Sequence, residues 1–504
     1  MSNHLFDAIR AAARGDATFI QLNGGREWTY NDMLEFSGRL ANALTTLGVR
    51  PGDRVAVQVE KCAEALMLYL GCVRCGAIYL PLNTAYTAAE IEYFLGDAEP
   101  KLIVVSSAAR GIIGKIAEAS GAFVETLDPD GTGSLTELAQ DEPPEFDDAN
   151  RSGDDLAAIL YTSGTTGRSK GAMLSHGNLL SNAMSLRDNW RITADDRLIH
   201  ALPIFHTHGL FVAANVTLLA GASMFLLPKF DPDEVLALMG QSTLLMGVPT
   251  FYTRLLQNPG LDKSAVASMR LFISGSAPLL AETHAEFKRR TGHSILERYG
   301  MTETNMNTSN PYDGERIAGT VGLPLPGVTV RVTDTATGAS LPPGETGMIE
   351  IKGPNVFRGY WRMPEKTAAE FTKDGFFISG DLGKFDDAGY LSIVGRGKDL
   401  VISGGYNIYP KEVEGEIDQL EGVFESAVFG VPHPDFGEGV TAIIVRKPGA
   451  TLGEEDVLAA LQNRLARYKQ PKRVIFADDL PRNTMGKVQK NVLREQYAGI
   501  YTNA

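Results

Sequence analysis

Residues 156–190 read LAAILYTSGTTGRSKGAMLSHGNLLSNAMSLRDNW. Leu156 to Thr162 make an apolar, strand-like run. A turn rich in glycine and hydroxyl side chains follows, and then a helical pattern from His176 to Trp190. That unit repeats downstream. RLIHALP (197–203), SMFLLP (223–228), TLLMGVP (243–249) and RLFISG (270–275) read as strands, and PDEVLALMGQ (232–241) and APLLAETHAEFKRRTG (277–292) read as helices. The alternation predicts an α/β fold with parallel sheets covered on both faces.

Upstream, Met33, Leu34, Ser37, Leu40, Ala41, Leu44 and Leu47 recur at helical spacing behind a cap expected at Asn31. Gly48 and Pro51 end that helix, and RVAVQVE (54–60) alternates as a strand. The pattern changes after about residue 320. GVTVRVTDTATGASLPPGETGMIEIKG (327–353) suits a small antiparallel or barrel-like unit. From Gly395 onward PKEVEGEIDQL (410–420) and EEDVLAALQNRLARY (454–468) read as helices. ESAVFGVP (425–432) and VTAIIVRK (440–447) read as strands of a small α+β domain. The expected division is 1–397 and 398–504. Within the first part, SILERYGMTETNMN (294–307) reads as a short buried strand running into a polar loop, with Arg298 where the chain leaves the core.

A chain of 504 residues needs more than one hydrophobic core. Its 44% hydrophobic and 21% charged content suits a soluble globular enzyme, and the net charge of -14 argues against a general nucleic-acid or anionic-membrane binder. A local basic pocket remains compatible with that charge. The opening MSNHLFDAIRAAARGD has no apolar segment long enough for a secretory signal. The uncharged stretch 198–228 carries His200, Pro203, His206, His208 and Asn215, so it reads as buried core rather than a membrane span. Cys72 and Cys75 form a CxxC without a second ligand pair, and with Cys62 they read as small buried residues of a cytoplasmic protein.

Chemistry concentrates in YTSGTTGRSKGAMLSH (161–176). Gly164, Gly167 and Gly171 let the backbone approach a ligand, while Thr162, Ser163, Thr165, Thr166 and Ser169 offer hydroxyls and Lys170 a cation. Those groups suit a polyphosphate. The Gly-Lys-Ser/Thr order of a Walker A loop is absent.

This stretch closely resembles the phosphate loop of the acyl-adenylate-forming (AMP-binding) enzymes, which include acyl-CoA synthetases. YGMTE (299–303), SGDLG (379–383), GRGKDLVISGGYNIYPKEVE (395–414) and PRNTMGKVQK (481–490) match further family motifs in the same order. The resemblance spans essentially the whole chain. It implies ATP and coenzyme A as co-substrates and Mg²⁺ as metal. It implies a large N-terminal domain and a mobile C-terminal domain that rotates between two half-reactions at one site.

Residue by residue, the resemblance puts Thr166 and Lys170 on the β- and γ-phosphates and Thr302 on the α-phosphate. Glu303, with Thr166, would hold the metal. Tyr299 would stack on adenine beside Gly275, Ser276, Ala277 and Pro278, with Glu297, Gly300 and Met301 lining the same nucleotide site. Asp381 and Arg396 would take the ribose. Lys487 would stabilise charge between the α-phosphate and the reacting carboxylate. Lys398 matches the hinge, Gly404 the tunnel for the coenzyme A thiol, and His206 the aromatic gate beside the acyl carboxylate. As an isolated feature, a lysine in a basic tail is simply solvated. Only the motif gives Lys487 a task.

Many relatives carry a small residue just before the adenine tyrosine, whereas this chain has Arg298. A buried cation there would close a long apolar tunnel and require an anion. A second carboxylate on the substrate supplies one. Arg254 is expected to assist, and His206, Thr207, Ser276 and Met306 to enclose a small cavity. A diacid is thus implied, and the resemblance of PIFHTHGLF (203–211), VPTFYTRLL (248–256), ERYGMTETNMNTSNPYDG (297–314) and PRNTMGKVQKNVLRE (481–495) to acyl-CoA synthetases of small diacids implies malonate, with methylmalonate admitted if Thr207 and Met306 leave room for a methyl. Acetate, oxalate or an aryl acid are the alternatives within the class. A nucleotide-binding regulatory protein or P-loop NTPase is the alternative outside it. The alternative for Arg298 itself is an internal ion pair with Glu297 or Glu303. No nucleic acid, membrane or obligate protein partner is implied.

Overall fold

The computed structural model describes residues 2–22, 24–162, 169–403, 406–462, 464–465, 467–483 and 486–501. The chain divides into two compact units, Met1–Thr329 with Ile351–Phe377, and Val330–Glu350 with Ile378–Ala504.

The first unit holds two large sheets. In the six-stranded one the order is Phe123–Thr126, Leu102–Val105, Arg54–Gln58, Ile78–Pro81, Leu156–Thr162 and Lys170–Ser175. All neighbours run parallel except the last pair, the two antiparallel strands on either side of the glycine- and threonine-rich segment. In the nine-stranded sheet six strands are parallel, in the order Leu296–Met301, Leu271–Ser274, Leu244–Gly247, Arg197–His200, Ser223–Leu226 and Thr18–Gln21. Antiparallel strands flank them on both sides. The central strands 244–247 and 271–274 are buried at every position, as a sheet covered on both faces requires.

The helix expected behind Asn31 spans Tyr30–Thr46, and its cap is Thr29. Thr29 accepts from the Asp32 backbone N–H while the Asp32 carboxylate accepts from Thr29, a reciprocal box that Asn31 cannot form from inside the first turn. The helix Ala63–Cys75 is buried throughout, which explains its cysteines: burial pushes the Cys75 thiol up to about 12 and the Cys72 thiol well above its usual range. All three cysteines are free and buried. Among the described residues no cluster of three metal-ligating side chains occurs, and no helix is long and apolar enough to cross a membrane.

The polar run after Arg298 is a buried strand rather than a loop. Leu296–Met301 and Asn305–Ser309 pair antiparallel, with Arg298 opposite Ser309 and Tyr299 opposite Thr308. All five residues of the second strand are buried. Amide side chains make that burial tolerable: Asn182 donates to the Met306 carbonyl at 2.8 Å, Asn355 to the Thr304 carbonyl at 2.6 Å, and Asn310 to the Glu297 carbonyl at 3.1 Å.

The strands Thr329–Thr333, Gly347–Lys352, Phe377–Phe385 and Leu391–Arg396, in the second unit except for Thr329, Ile351, Lys352 and Phe377 at their ends, form an open four-stranded sheet with no pairing of its end strands among the described residues. A second sheet runs Tyr406–Ile408, Val401–Ser403, Gly437–Arg446 and Val423–His433, and Arg473–Ala477 pairs parallel with 437–446. The helices Pro410–Ile417 and Glu454–Leu461 cover it through Val413, Ile417, Val457 and Leu461, giving the α+β unit expected.

Candidate active site

In an open parallel sheet, ligands bind beyond the carboxyl ends of the strands. At that edge of the nine-stranded sheet, the segments after His200 and Ser274 meet the strand that carries Arg298. Arg298 is 3% exposed, and its guanidinium lies across Gly275: a Cβ on Gly275 would sit 2.5 Å from Cζ. Its Nε and Nη2 are buried without hydrogen-bond partners. Among the described residues no ion pair joins Arg298 to a carboxylate. Glu297 accepts from the Gly319 backbone N–H at 3.4 Å, and Glu303 accepts from Tyr360 at 3.1 Å. Burial pushes the Arg298 pKa down to about 9, leaving it protonated at neutral pH.

Three further buried polar atoms around this segment lack partners: Thr207 Oγ1, His208 Nε2 and Ser274 Oγ. His208 Nδ1 lies 3.3 Å from Ser276 Oγ, and burial, reinforced by Arg298, holds the imidazole neutral with a pKa well below its usual value. His206 is half-buried, and its Nδ1 accepts the His208 backbone N–H at 3.2 Å. Thr207 closes the turn, and His208–Ala214 then winds as a π-helix, a geometry that recurs at functional sites. Ser276 adopts φ +70°, a left-handed conformation that a non-glycine residue holds only under local constraint. Met306 is buried beside Gly300. A guanidinium with two orphaned donors, interacting electrostatically with the His208 imidazole and the Tyr252 hydroxyl, is destabilising alone and suits a carboxylate ligand.

Arg254 lies on the exposed face of the helix Pro249–Gln257, about 200° around the axis from Tyr252, whose hydroxyl is buried against the Ile273 carbonyl at 2.6 Å.

The phosphate side of the site is a network that the sequence discloses only in part. Thr162 Oγ1 lies 3.5 Å from Glu303 Oε1. Tyr360, absent from the expected set, shares its single hydroxyl hydrogen between Glu370 at 2.7 Å and Glu303 at 3.1 Å. Lys170 pairs with Glu370 at 3.3 Å and lies 4.1 Å from the centre of the Tyr360 ring, and Lys366 pairs with Glu370 at 2.7 Å. Burial and the two carboxylates push the Tyr360 pKa far up, so its hydroxyl is a permanent donor. Glu303 is buried and takes hydroxyl donors on Oε1, so it would meet a metal as one already oriented carboxylate. A magnesium ion that keeps several waters and shares phosphate oxygens fits such a donor set. Tyr299, Gly300, Met301, Thr302 and Ala277 are half-buried, and Pro278 is exposed. Ser163, Gly164, Thr165, Thr166, Gly167 and Gly404 lie outside the described residues.

In the second unit, Asp381 and Arg396 are register partners across antiparallel strands and form an ion pair at 3.1 Å. Lys398 is exposed on the turn Gly397–Asp399. Lys487 is exposed, and Asn483 and Lys487 exchange hydrogen bonds of 2.9 Å. Gly486 makes the turn at φ +75°.

The doubly covered sheets of the first unit, Thr162 beside Glu303 and the orphaned donors of Arg298 suit an enzyme that brings a nucleotide and a carboxylic acid together. The comparisons agree. Residues 8–361 match the AMP-binding enzyme model and residues 412–487 the AMP-binding enzyme C-terminal domain model. The chain belongs to the AMP-binding enzyme family. It superposes on the crystal structure of ATP-bound MatB from Rhodopseudomonas palustris with a TM-score of 0.98 and 62% identity, covering 99% of this chain and 100% of that one. Among curated relatives, it is 37% identical to a feruloyl-CoA synthase from Amycolatopsis sp over 97% of both chains. It is 35% identical to a malonate–CoA ligase from Arabidopsis thaliana, over 89% of this chain and 78% of that one.

Proposed function

We propose that this enzyme uses ATP to join malonate to coenzyme A, through malonyl-AMP, releasing pyrophosphate and AMP. Buried Arg298, with two orphaned donors and no carboxylate in reach among the described residues, carries this reading. The malonate–CoA ligase relative agrees with it. A feruloyl substrate has no second carboxylate to meet the orphaned donors of Arg298.

The distal carboxylate of malonate takes the donors of Arg298, with Thr207 and His208 beside it. The other carboxylate then lies near His206, positioned to attack the α-phosphorus. Its oxygen forms the new P–O bond as pyrophosphate leaves. Positioning and charge neutralisation supply most of the acceleration of such a step. Lys170 exchanges Glu370 for phosphate, Tyr360 holds the Glu303 carboxylate in place, and Asp381 with Arg396 receives the ribose. Lys487 supplies the cation that adenylate formation needs. Magnesium, when bound at Glu303 with Thr166, spreads the negative charge of the phosphates. In the second half-reaction the thiol sulfur attacks the acyl carbon, AMP leaves and the thiol proton passes to solvent. No protein nucleophile takes part, consistent with three buried, unreactive cysteines. The hinge near Lys398, the division at 397/398 and a cytoplasmic setting belong to the same proposal.

The experiment is an acid panel in the presence of ATP, magnesium and coenzyme A, read as AMP release and acyl-CoA mass. Malonate is expected to lead. Methylmalonate follows to the extent that Thr207 and Met306 admit a methyl, and acetate, oxalate and benzoate trail. Equal rates on acetate and malonate overturn the diacid assignment. Orthophosphate in place of pyrophosphate overturns the adenylation chemistry.

A further inference from the structure

Lys61, just before the helix Ala63–Cys75, is 9% exposed and has no carboxylate partner among the described residues. Its Nζ meets three acceptors instead: His200 Nδ1 at 2.9 Å, the His200 carbonyl at 2.7 Å and the Leu202 carbonyl at 2.9 Å. The other ring nitrogen of His200, Nε2, lies 2.8 Å from the Gly209 carbonyl. His200 ends the strand Arg197–His200, and Gly209 lies in the first turn of the π-helix.

These four contacts need four hydrogens, because a carbonyl oxygen only accepts. A neutral lysine and a neutral imidazole together carry three on nitrogen. The pair therefore holds one extra proton, whether written as ammonium with imidazole or as amine with imidazolium. Burial opposes that charge and pushes both pKa values well down, so the hydrogen bonds are what retain it. A buried charge bound only by neutral acceptors is an unfavourable way to fill a core. A methionine would fill the same volume without that penalty. What the four bonds accomplish is specific: they clasp residues 200, 202 and 209, and so hold both ends of the segment that presents His206, Thr207 and His208.

We propose that Lys61 and His200 are positioning residues of the acyl site. Their shared proton staples the 200–209 segment into the shape that receives the substrate acid. The proposal rests on the reading that this segment faces the acid, and it does not depend on which acid that is.

The test compares KM for the preferred acid with KM for ATP in Lys61→Met, His200→Phe, the double variant and His200→Gln. A loosened segment raises KM for the acid about tenfold in each of the first two, while KM for ATP stays within about twofold. Because the pair acts as one unit, the double variant is no worse than either single change. His200→Gln, whose amide N–H reaches toward the Gly209 carbonyl, recovers most of the acid affinity. Acid and ATP constants rising together, an unchanged acid KM, additive single changes, or failure of all four variants to fold overturns the proposal. The native enzyme's own preference is measured first. A preference for an acid other than malonate refutes the malonate reading and leaves this test intact with that acid.

Discussion

Arg298 shows what a single residue discloses and what it hides. Its place one position before Tyr299 is legible in the sequence, and so is its need for an anion. The partner set is not. Arg254 looks equally suitable as a cation near the pocket, but its position around the helix turns it to solvent while Tyr252 turns inward. His208 is visible in the sequence without an assigned role, yet its Nε2 is one of the orphaned atoms near Arg298. Spacing alone does not say which of two histidines, two residues apart in a turn, faces a cavity. The burial of an unpaired guanidinium is destabilising before substrate arrives. Arg298→Met should therefore raise the unfolding free energy of the ligand-free enzyme by about 1–4 kcal/mol. It should lower kcat/KM for malonate on the order of a hundredfold, with KM for ATP little changed. Thermal melts and steady-state kinetics check both, and a destabilised variant that still uses malonate contradicts the assignment.

At the scale of elements, the parallel strands and their covering helices are readable because a bounded apolar run or a sustained helical period is compatible with very few local structures. The hairpin of 296–301 and 305–309 is not. Asn305, Asn307 and Thr308 are loop chemistry by composition, and groups remote in sequence, the Asn182 and Asn355 amides and the Val321 carbonyl among them, help satisfy the polar groups that burial removes from water. Tyr360 and Glu370 escape a sequence reading for a related reason: they reach the site from a segment some 200 residues beyond Thr162 and Lys170. The approach of Gly275 to Arg298 gives a test of the element itself. Gly275→Ala places a methyl against the guanidinium and must displace it. KM for malonate should rise about tenfold or more while the sheet stays folded. An unchanged KM, with circular dichroism intact, contradicts the close approach.

For the whole molecule, the α/β architecture and the existence of a terminal α+β unit are legible, while the grouping of segments is not. Val330–Glu350 belongs with Ile378–Ala504 as a compact unit, although Ile351–Phe377 lies between them in sequence and groups with the first unit. Sheet pairing between remote segments decides such groupings, and periodicity carries no information about partners. Division of labour between the units has its own test. Lys487→Ala should abolish malonyl-AMP formation, yet preserve thioester formation from supplied malonyl-AMP and coenzyme A. Equal loss of both half-reactions contradicts the assignment of Lys487 to adenylation.

Whether buried Arg298 makes this family member a diacid activator is decided by acid-dependent exchange of labelled pyrophosphate into ATP without coenzyme A. Rapid exchange with malonate, little with acetate, and loss of the malonate signal in Arg298→Met are expected. Exchange that is as fast with acetate as with malonate, or that survives the substitution, contradicts the diacid assignment.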